Sequence, residues 1–386
     1  MAKLDMKTRR KVIDGQKARY KKASKKEKGQ ILDSVCVATG LSRDRAKKLL
    51  ACAVALPMPG NARSGRNRKY GRDVRLALEW LWPLADYAGG RRICAGMDDM
   101  LDALNRFGEF PFEESTASLL REMSPSTADR LLKRARDGLK LKGRSTTKPG
   151  TLLKKDIPIR LGTQWDEGMP GFEEVDLVAH CGWTTAGEYV NTLDVTDICT
   201  GWTETRAVIN KAQKHVFEAL RHIRANLPFD LLGIDSDSGS EFINHELFRY
   251  CKEEGILFTR SRPYMKNDSC HVEQKNWHVI RRNIGYGRYE GADAVRVMNE
   301  YYALLRLHTN FFMPHTKLIS KSRDGAHVRK QYETPMTPYR RLLADEDTPQ
   351  ETKNRLTETY LSLNPAELKR GMDRLLGTLA KMALPE

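Results

Sequence analysis

At 386 residues the chain is long for one domain and is expected to hold two or three. Its net charge of +16 is unevenly placed: residues 1–160 carry 37 Lys and Arg against 18 Asp and Glu, whereas residues 161–386 carry 29 against 32. An excess confined to one part argues against a generally basic surface and for a polyanion-binding module joined to a nearly neutral one.

Seven cysteines (36, 52, 94, 181, 199, 251 and 270), an odd number with no Cys-x-x-Cys pair, point to a reduced cytosolic protein without a disulfide framework or structural zinc. No apolar run approaches the length of a membrane span, and the first thirty residues lack an apolar signal core, so no membrane partner is expected.

Residues 1–28 are rich in Lys and Arg and poor in apolar anchors, which reads as a mobile or marginally helical arm. The stretch 31–42 then reads as a short helix stopped by Gly40, with Ser42 capping a second helix over 43–51. That pattern fits a helix-turn-helix whose second helix offers Arg43, Arg45, Lys47 and Lys48 to DNA; an ordinary hairpin with a solvated basic face is the plainer alternative. Residues 61–70 form a basic linker. A helical region over 71–138 follows, and within it Ser124-Pro125 opens a helix presenting Arg130, Lys133 and Arg134, a second candidate reader. Residues 1–60 and 61–150 are thus expected to be two DNA-binding modules that fold apart from the rest. Gly143 to Gly150 is the clearest linker.

From Gly171 the periodicity changes to two. Val175, Leu177 and Ala179 alternate with Asp176, Val178 and His180, and 188–194 and 202–208 read as two further strands. A helix over 211–226, a strand over 231–235, a helix over 240–254, a strand over 256–259 and helices over 269–284 and 292–312 follow. Three strands and then alternating helix and strand is an α/β order. Residues 314–343 look like an irregular basic tail. After an acidic break at 345–349, a helix from Asn364 lines up Leu368, Met372, Leu375, Leu379 and Met382, the stripe of a core or an oligomer seam.

Three carboxylates stand out. Asp176 lies mid-strand, Asp237 lies in the turn Asp-Ser-Gly-Ser-Glu-Phe after the 231–235 strand, and Glu273 follows Arg262-Pro263-Tyr264 and 35 intervening residues after Asp237. This spacing, the Asp-x-Gly-x-Glu-Phe turn and the Pro-Tyr before the glutamate resemble the integrase core of the Asp-Asp-Glu transposases and retroviral integrases. The resemblance covers roughly 174–343. The chain lacks a His-His-Cys-Cys zinc pattern, and a Leu-Val-Ala-His run follows Asp176 in place of a threonine-containing turn. Both departures make it most similar to bacterial insertion-sequence transposases with helix-turn-helix amino termini.

The resemblance implies a ribonuclease-H-like catalytic core over 165–343, preceded by all-α DNA-binding modules and followed by a helical tail at 344–386. It implies that Asp176, Asp237 and Glu273 are catalytic and hold two Mg²⁺ or Mn²⁺ ions, and that Lys266, Lys275 and Arg282 lie against a DNA end. It also implies a cytoplasmic, nucleoid-associated homo-oligomer acting on terminal inverted repeats and target DNA. Phosphodiester transfer uses two divalent cations about 3.5–4 Å apart, and both metals prefer carboxylate oxygens, so three carboxylates are a fitting ligand set. Burying three like charges together is costly unless a cation offsets them.

Each candidate has a plainer reading: Asp176 as an outward charge on an edge strand, Asp237 as a helix cap, Glu273 as a solvated helix charge. Asp235 competes with Asp237 but breaks the spacing. His180 and His271 flank the triad as DNA-contacting or ordinary polar residues, and Trp277 reads as partly core. Two functional alternatives stand beside transposition: a DNA-binding regulator with an inactive core, and a plain ribonuclease-H-like nuclease.

Overall fold

The computed structural model of the chain describes residues 5–51, 69–137, 168–236, 242, 245–260, 272, 275–324 and 327–384. It divides into two compact units, Met1–Lys69 and Tyr70–Glu386. The expected linker at 143–150 and nearly all of the one at 61–70 lie outside the described residues.

The first unit holds three helices, α1 (Met6–Lys22), α2 (Lys25–Thr39) and α3 (Arg43–Ala51). The expected arm is a helix in its own right. Ile13 and Tyr20, two turns apart on one stripe, are buried in a small core with Ile31, Leu32, Val35, Ala46 and Leu50. Ser24 and Glu27 cap α2 reciprocally. Gly40 ends it at φ 68°, a left-handed turn that a Cβ would oppose, and returns its N–H to Cys36 O at 2.8 Å.

In the second unit, α4 (Arg72–Leu84), α5 (Gly90–Ala95), α6 (Met97–Arg106), α7 (Glu114–Arg121) and α8 (Pro125–Asp137) form a helical layer. Gly90 is required where α5 meets α8, since a Cβ there would fall 2.1 Å from Pro125 O. This layer does not stand alone. Leu78, Leu81, Trp82, Leu101, Leu104, Leu120 and Leu132 share one core with Phe311, Phe312, Tyr339, Leu342, Leu356 and Tyr360. Arg370 pairs with Glu109 at 2.7 Å, and Arg340 bonds Asp99. Residues 70–137 therefore complete their core with residues beyond 300, and a piece of chain ending at 150 would leave it bare.

The sheet comprises β1 (Phe172–Ala179), β2 (Asn191–Asp197), β3 (Thr203–Val208), β4 (Gly233–Ser236) and β5 (Leu257–Arg260), in the order β3-β2-β1-β4-β5. β1, β2 and β3 are antiparallel neighbours, while β4 runs parallel to β1 and β5 parallel to β4. Because side chains alternate, residues two apart on a strand share a face. Val175, Leu193, Val195, Ile234 and Phe258 pack on α9 (Gln213–Arg224) and α10 (His245–Glu253). The opposite face presents Glu174, Asp176, Thr192, Asp194, Thr196, Asp235 and Thr259. A π-helical turn (Asn276–Arg281), α11 (Arg282–Ile284) and α12 (Gly291–Phe312) contact that polar side. The expected mixture of helical and α/β parts is present, around a five-stranded mixed sheet.

The stretch expected to be an irregular tail contains a hairpin, β6 (Leu318–Asp324) and β7 (His327–Tyr332), and a short helix, α13 (Pro338–Ala344). Neither hairpin strand has an apolar alternation to read, because β7 is exposed along its whole length. After α13 come α14 (Gln350–Ser362) and α15 (Pro365–Met382). The stripe on α15 is core: Leu368, Met372 and Leu379 are buried, and Gly371 lets the helix approach Leu304 of α12, whose Cδ1 would lie 2.7 Å from an added Cβ. Among the described residues, no helix is long and apolar enough to cross a membrane.

Candidate active site

Asp176 sits in the middle of β1, and its neighbours across the sheet set the site. On one side it pairs with Asp194 of β2. On the other, Val175 pairs with Ser236 of β4, so the residues just before Asp176 and just before Asp237 are partners in a parallel ladder. Asp235, the rival carboxylate, is buried on β4 and accepts a hydrogen bond from Thr259 Oγ1 at 2.7 Å. Asp237, Glu273 and Lys266 themselves lie outside the described residues, as do His271 and Tyr264.

Two hydrogen bonds join β1 to the chain on either side of Glu273. The backbone N–H of Val272 donates to Glu174 Oε2 at 3.1 Å, and the side-chain amide of Asn276 donates to Asp176 Oδ2 at 2.5 Å. Glu174 and Asp176, two residues apart on a strand, share a face, so one edge of β1 holds both anchors. Asn276 opens the π-helical turn, a wider i→i+5 winding that recurs at functional sites. The expected helix over 269–284 is thus partly π-helical, which a 3.6-residue period cannot reveal.

Sequence reading missed two members of this cluster, Asp194 and Asn276, and placed a third, Lys275, against DNA rather than inside. Asp194 is fully buried and burial pushes its carboxyl well above the usual range, against the pull of nearby Lys275. Burial brings the Lys275 ammonium down to about 7, and its Nζ donates to Gly201 O at 3.1 Å in the turn between β2 and β3. Asn276 bonds Asp176 directly. Asp194 Oδ2 and Asn276 Oδ1 are buried oxygens without a hydrogen-bond partner among the described residues. The signal available for Asp194 was the same period of two that runs through Asp176. His180 is buried and bonded through its Nε2 to Thr192 Oγ1 at 2.8 Å, which in turn meets Tyr302 Oη at 2.7 Å. Burial holds its imidazole down at about 3, so it is a neutral internal residue.

The basic residues expected to face DNA separate into two groups. Arg43, Arg45, Lys47 and Lys48 are exposed on α3, and Arg130, Lys133 and Arg134 are exposed on α8. Arg43 is paired with Asp33, and Lys133 with Asp137 at 3.0 Å. Lys275 and Arg282 turn inward. Arg282 reaches Asp86 at 3.2 Å and lies over the Tyr87 ring, at a turn where Asp86 and Tyr87 both adopt positive φ. Lys275 and Arg282 flank the π-helical turn, one at each end. Trp277, expected to be partly core, is 39% exposed.

Over 339 residues the chain is 35% identical to the uncharacterized protein y4rM of Sinorhizobium fredii (strain NBRC 101917 / NGR234), a match spanning 88% of this chain and 96% of that protein. The chain belongs to the family of y4rM. No family model matches it. Among solved structures it is similar to the catalytic core domain of BIV integrase, at 17% identity and a TM-score of 0.30, over 46% of this chain and 97% of that one. It is also similar to the HTLV-2 integrase catalytic core domain in complex with magnesium, in its dimeric form, at 15% identity and a TM-score of 0.24, over 30% of this chain and 71% of that one. Likenesses this low leave the site to be read from its own residues.

Proposed function

We propose that the protein is a DNA transposase of the Asp-Asp-Glu type, cutting the 3′ strand at the ends of a mobile element and joining it to target DNA. One observation carries the reading: β1 is tied to the residues that flank both other carboxylates in sequence, through Val175 and Ser236 on one side and through Val272 and Asn276 on the other. On this reading the three acidic residues, 35 and more positions apart in sequence, would meet beside β1. The strand order, with an antiparallel meander followed by two parallel strands, supports the same core.

Asp176, Asp237 and Glu273 would hold divalent cations, with Asp194 close by. The fit is chemical. The available donors are hard carboxylate and amide oxygens, two buried oxygens there have no hydrogen-bond partner among the described residues, and burial alone makes a set of uncompensated carboxylates unfavourable. Magnesium or manganese bound there would supply the charge needed to activate the attacking oxygen and stabilise the leaving one. The chain's own residues do the positioning. Asn276 orients the Asp176 carboxylate, Glu174 fixes the backbone at Val272, and Lys275 draws the buried Asp194 carboxyl back toward its ionised form.

α3, with Arg45, Lys47 and Lys48, and α8, with Arg130 and Arg134, would contact the element ends, a role that the surplus charge of the first 160 residues supports. The test is incubation of the full chain with labelled duplexes carrying the DNA that flanks its coding sequence, with and without Mg²⁺. Strand-specific nicking followed by joining supports transposition. Nicking without joining would make the protein a nuclease.

A further inference from the structure

The hairpin formed by β6 and β7 stands out because, among the described residues, no third strand joins it. A lone two-stranded ribbon is marginally stable in water and is normally supported by a third strand or a packed face. Here every residue of β7 is exposed, and Ile319 and Val328 are 61% and 45% exposed. Its base, in contrast, is firmly held. Lys317 and Glu333 exchange backbone-linked hydrogen bonds at 3.1 Å, and Arg341 grips the Glu333 carboxylate. Arg91 donates to the carbonyls of Tyr332 and Glu333 at 3.2 and 2.9 Å.

That base adjoins the candidate site. Lys317 Nζ donates to Cys199 O at 2.7 Å, and Lys275 Nζ donates to Gly201 O, so both lysines clasp the same turn between β2 and β3. Lys275 follows Glu273 by two residues. The ribbon is also basic. Between Leu318 and Tyr332 the sequence carries Lys321, Arg323, Arg329 and Lys330 against Asp324 alone. The register sets Lys321 directly opposite Lys330, and Ser322 opposite Arg329.

We propose that the β6–β7 hairpin is an arm that lies along the phosphate backbone of the duplex held at the active site, gripping it without regard to sequence. The proposal rests on the DNA reading above and adds a contact surface that the triad does not supply. Two-stranded ribbons are among the elements that proteins lay into DNA grooves. Arg329 and Lys330 are the exposed cations of β7, and phosphate contact there carries affinity and salt dependence but no base preference.

The experiment is anisotropy titration of a random-sequence duplex with the full chain at two salt concentrations. The wild type is compared with Arg329→Glu/Lys330→Glu and with the charge-retaining Arg329→Lys/Lys330→Arg. The double reversal should weaken binding at least tenfold at the lower salt and make the salt slope shallower by about two. The charge-retaining pair should bind like wild type. Unchanged affinity and slope in the reversal, with the wild type binding well, would overturn the arm and leave the enzyme reading standing. A reversal that leaves DNA binding intact but alters the sedimenting mass would also overturn it, and would make the ribbon a contact between copies. A wild type that binds no DNA would overturn the DNA reading and the arm together.

Discussion

Asn276, three residues after Glu273 in sequence, donates its side-chain amide to Asp176 Oδ2 at 2.5 Å. A strand and a π-helical turn exactly one hundred positions apart are thus held together at the carboxylate on which the proposed chemistry depends.

The first prediction concerns that bond. Asn276→Ala removes the donor without disturbing the sheet and should raise the Mg²⁺ concentration needed for half-maximal cleavage by about 10–100-fold, as loss of a ligand-orienting partner does. Titrating cleavage against Mg²⁺ reads the shift directly, and an unchanged titration would mean that Asp176 needs no orienting partner.

The period-two strand around Asp176 was legible in the sequence because a sheet with one apolar face alternates visibly along the strand, and the later Asp-x-Gly-x-Glu-Phe turn and Glu273 spacing singled out Asp176 among its carboxylates. Asp194 obeys the same alternation but lacked a motif around it. The inward turn of Lys275 and Arg282 was not legible, because their partners, Gly201 O and Asp86, lie 74 and 196 positions away in sequence. The bond between the helical layer and the C-terminal helices also escaped reading. Leu78 and Leu101 look the same whether their core is closed by a neighbour or by Phe311 and Tyr339, more than two hundred residues away.

The division of the chain gives a second prediction. Residues 1–69 are a unit with its own small core, so deleting them should leave the rest folded, with little change in its melting temperature. A fragment of residues 1–150 should melt non-cooperatively or bind a hydrophobic dye at the bared α4–α8 surface. Calorimetry of both pieces decides, and a cooperative transition of the α4–α8 layer in the short fragment would contradict the shared core.

Arg306 gives a third. Its guanidinium makes paired bonds of 2.7–2.9 Å with the buried carboxylate of Glu204 and also donates to Asn226 O. Arg306→Met strands a buried acid and should cost about 3–5 kcal/mol, whereas the double change Arg306→Met/Glu204→Met should cost less. Denaturant melts of the two variants test the order. A double variant less stable than the single would show that the pair contributes net stability.

A fourth prediction is a pH dependence of stability. Burial holds the His308 imidazole down at about 4, with Leu84 O hydrogen-bonded to its Nε2 at 2.7 Å. The unfolded chain takes up this proton below pH about 6.5, and the folded chain does so only near 4. The contribution of a depressed group is therefore complete above about 6.5 and is lost as pH falls through that window, by up to roughly 3 kcal/mol. His308→Gln should flatten the fall in unfolding free energy between pH 6.5 and 4. An equal slope in both proteins would place the uptake elsewhere.

The central claim is that Asp237 completes a cation-dependent site with Asp176 and Glu273. The direct measurement is cleavage and joining of labelled flanking DNA by the full chain and by Asp237→Asn in Mg²⁺, with DNA affinity measured alongside. The account predicts strand-specific products from the wild type, none from the variant, and binding that differs by less than about tenfold, roughly 1.4 kcal/mol. Equal cleavage by both proteins would contradict it.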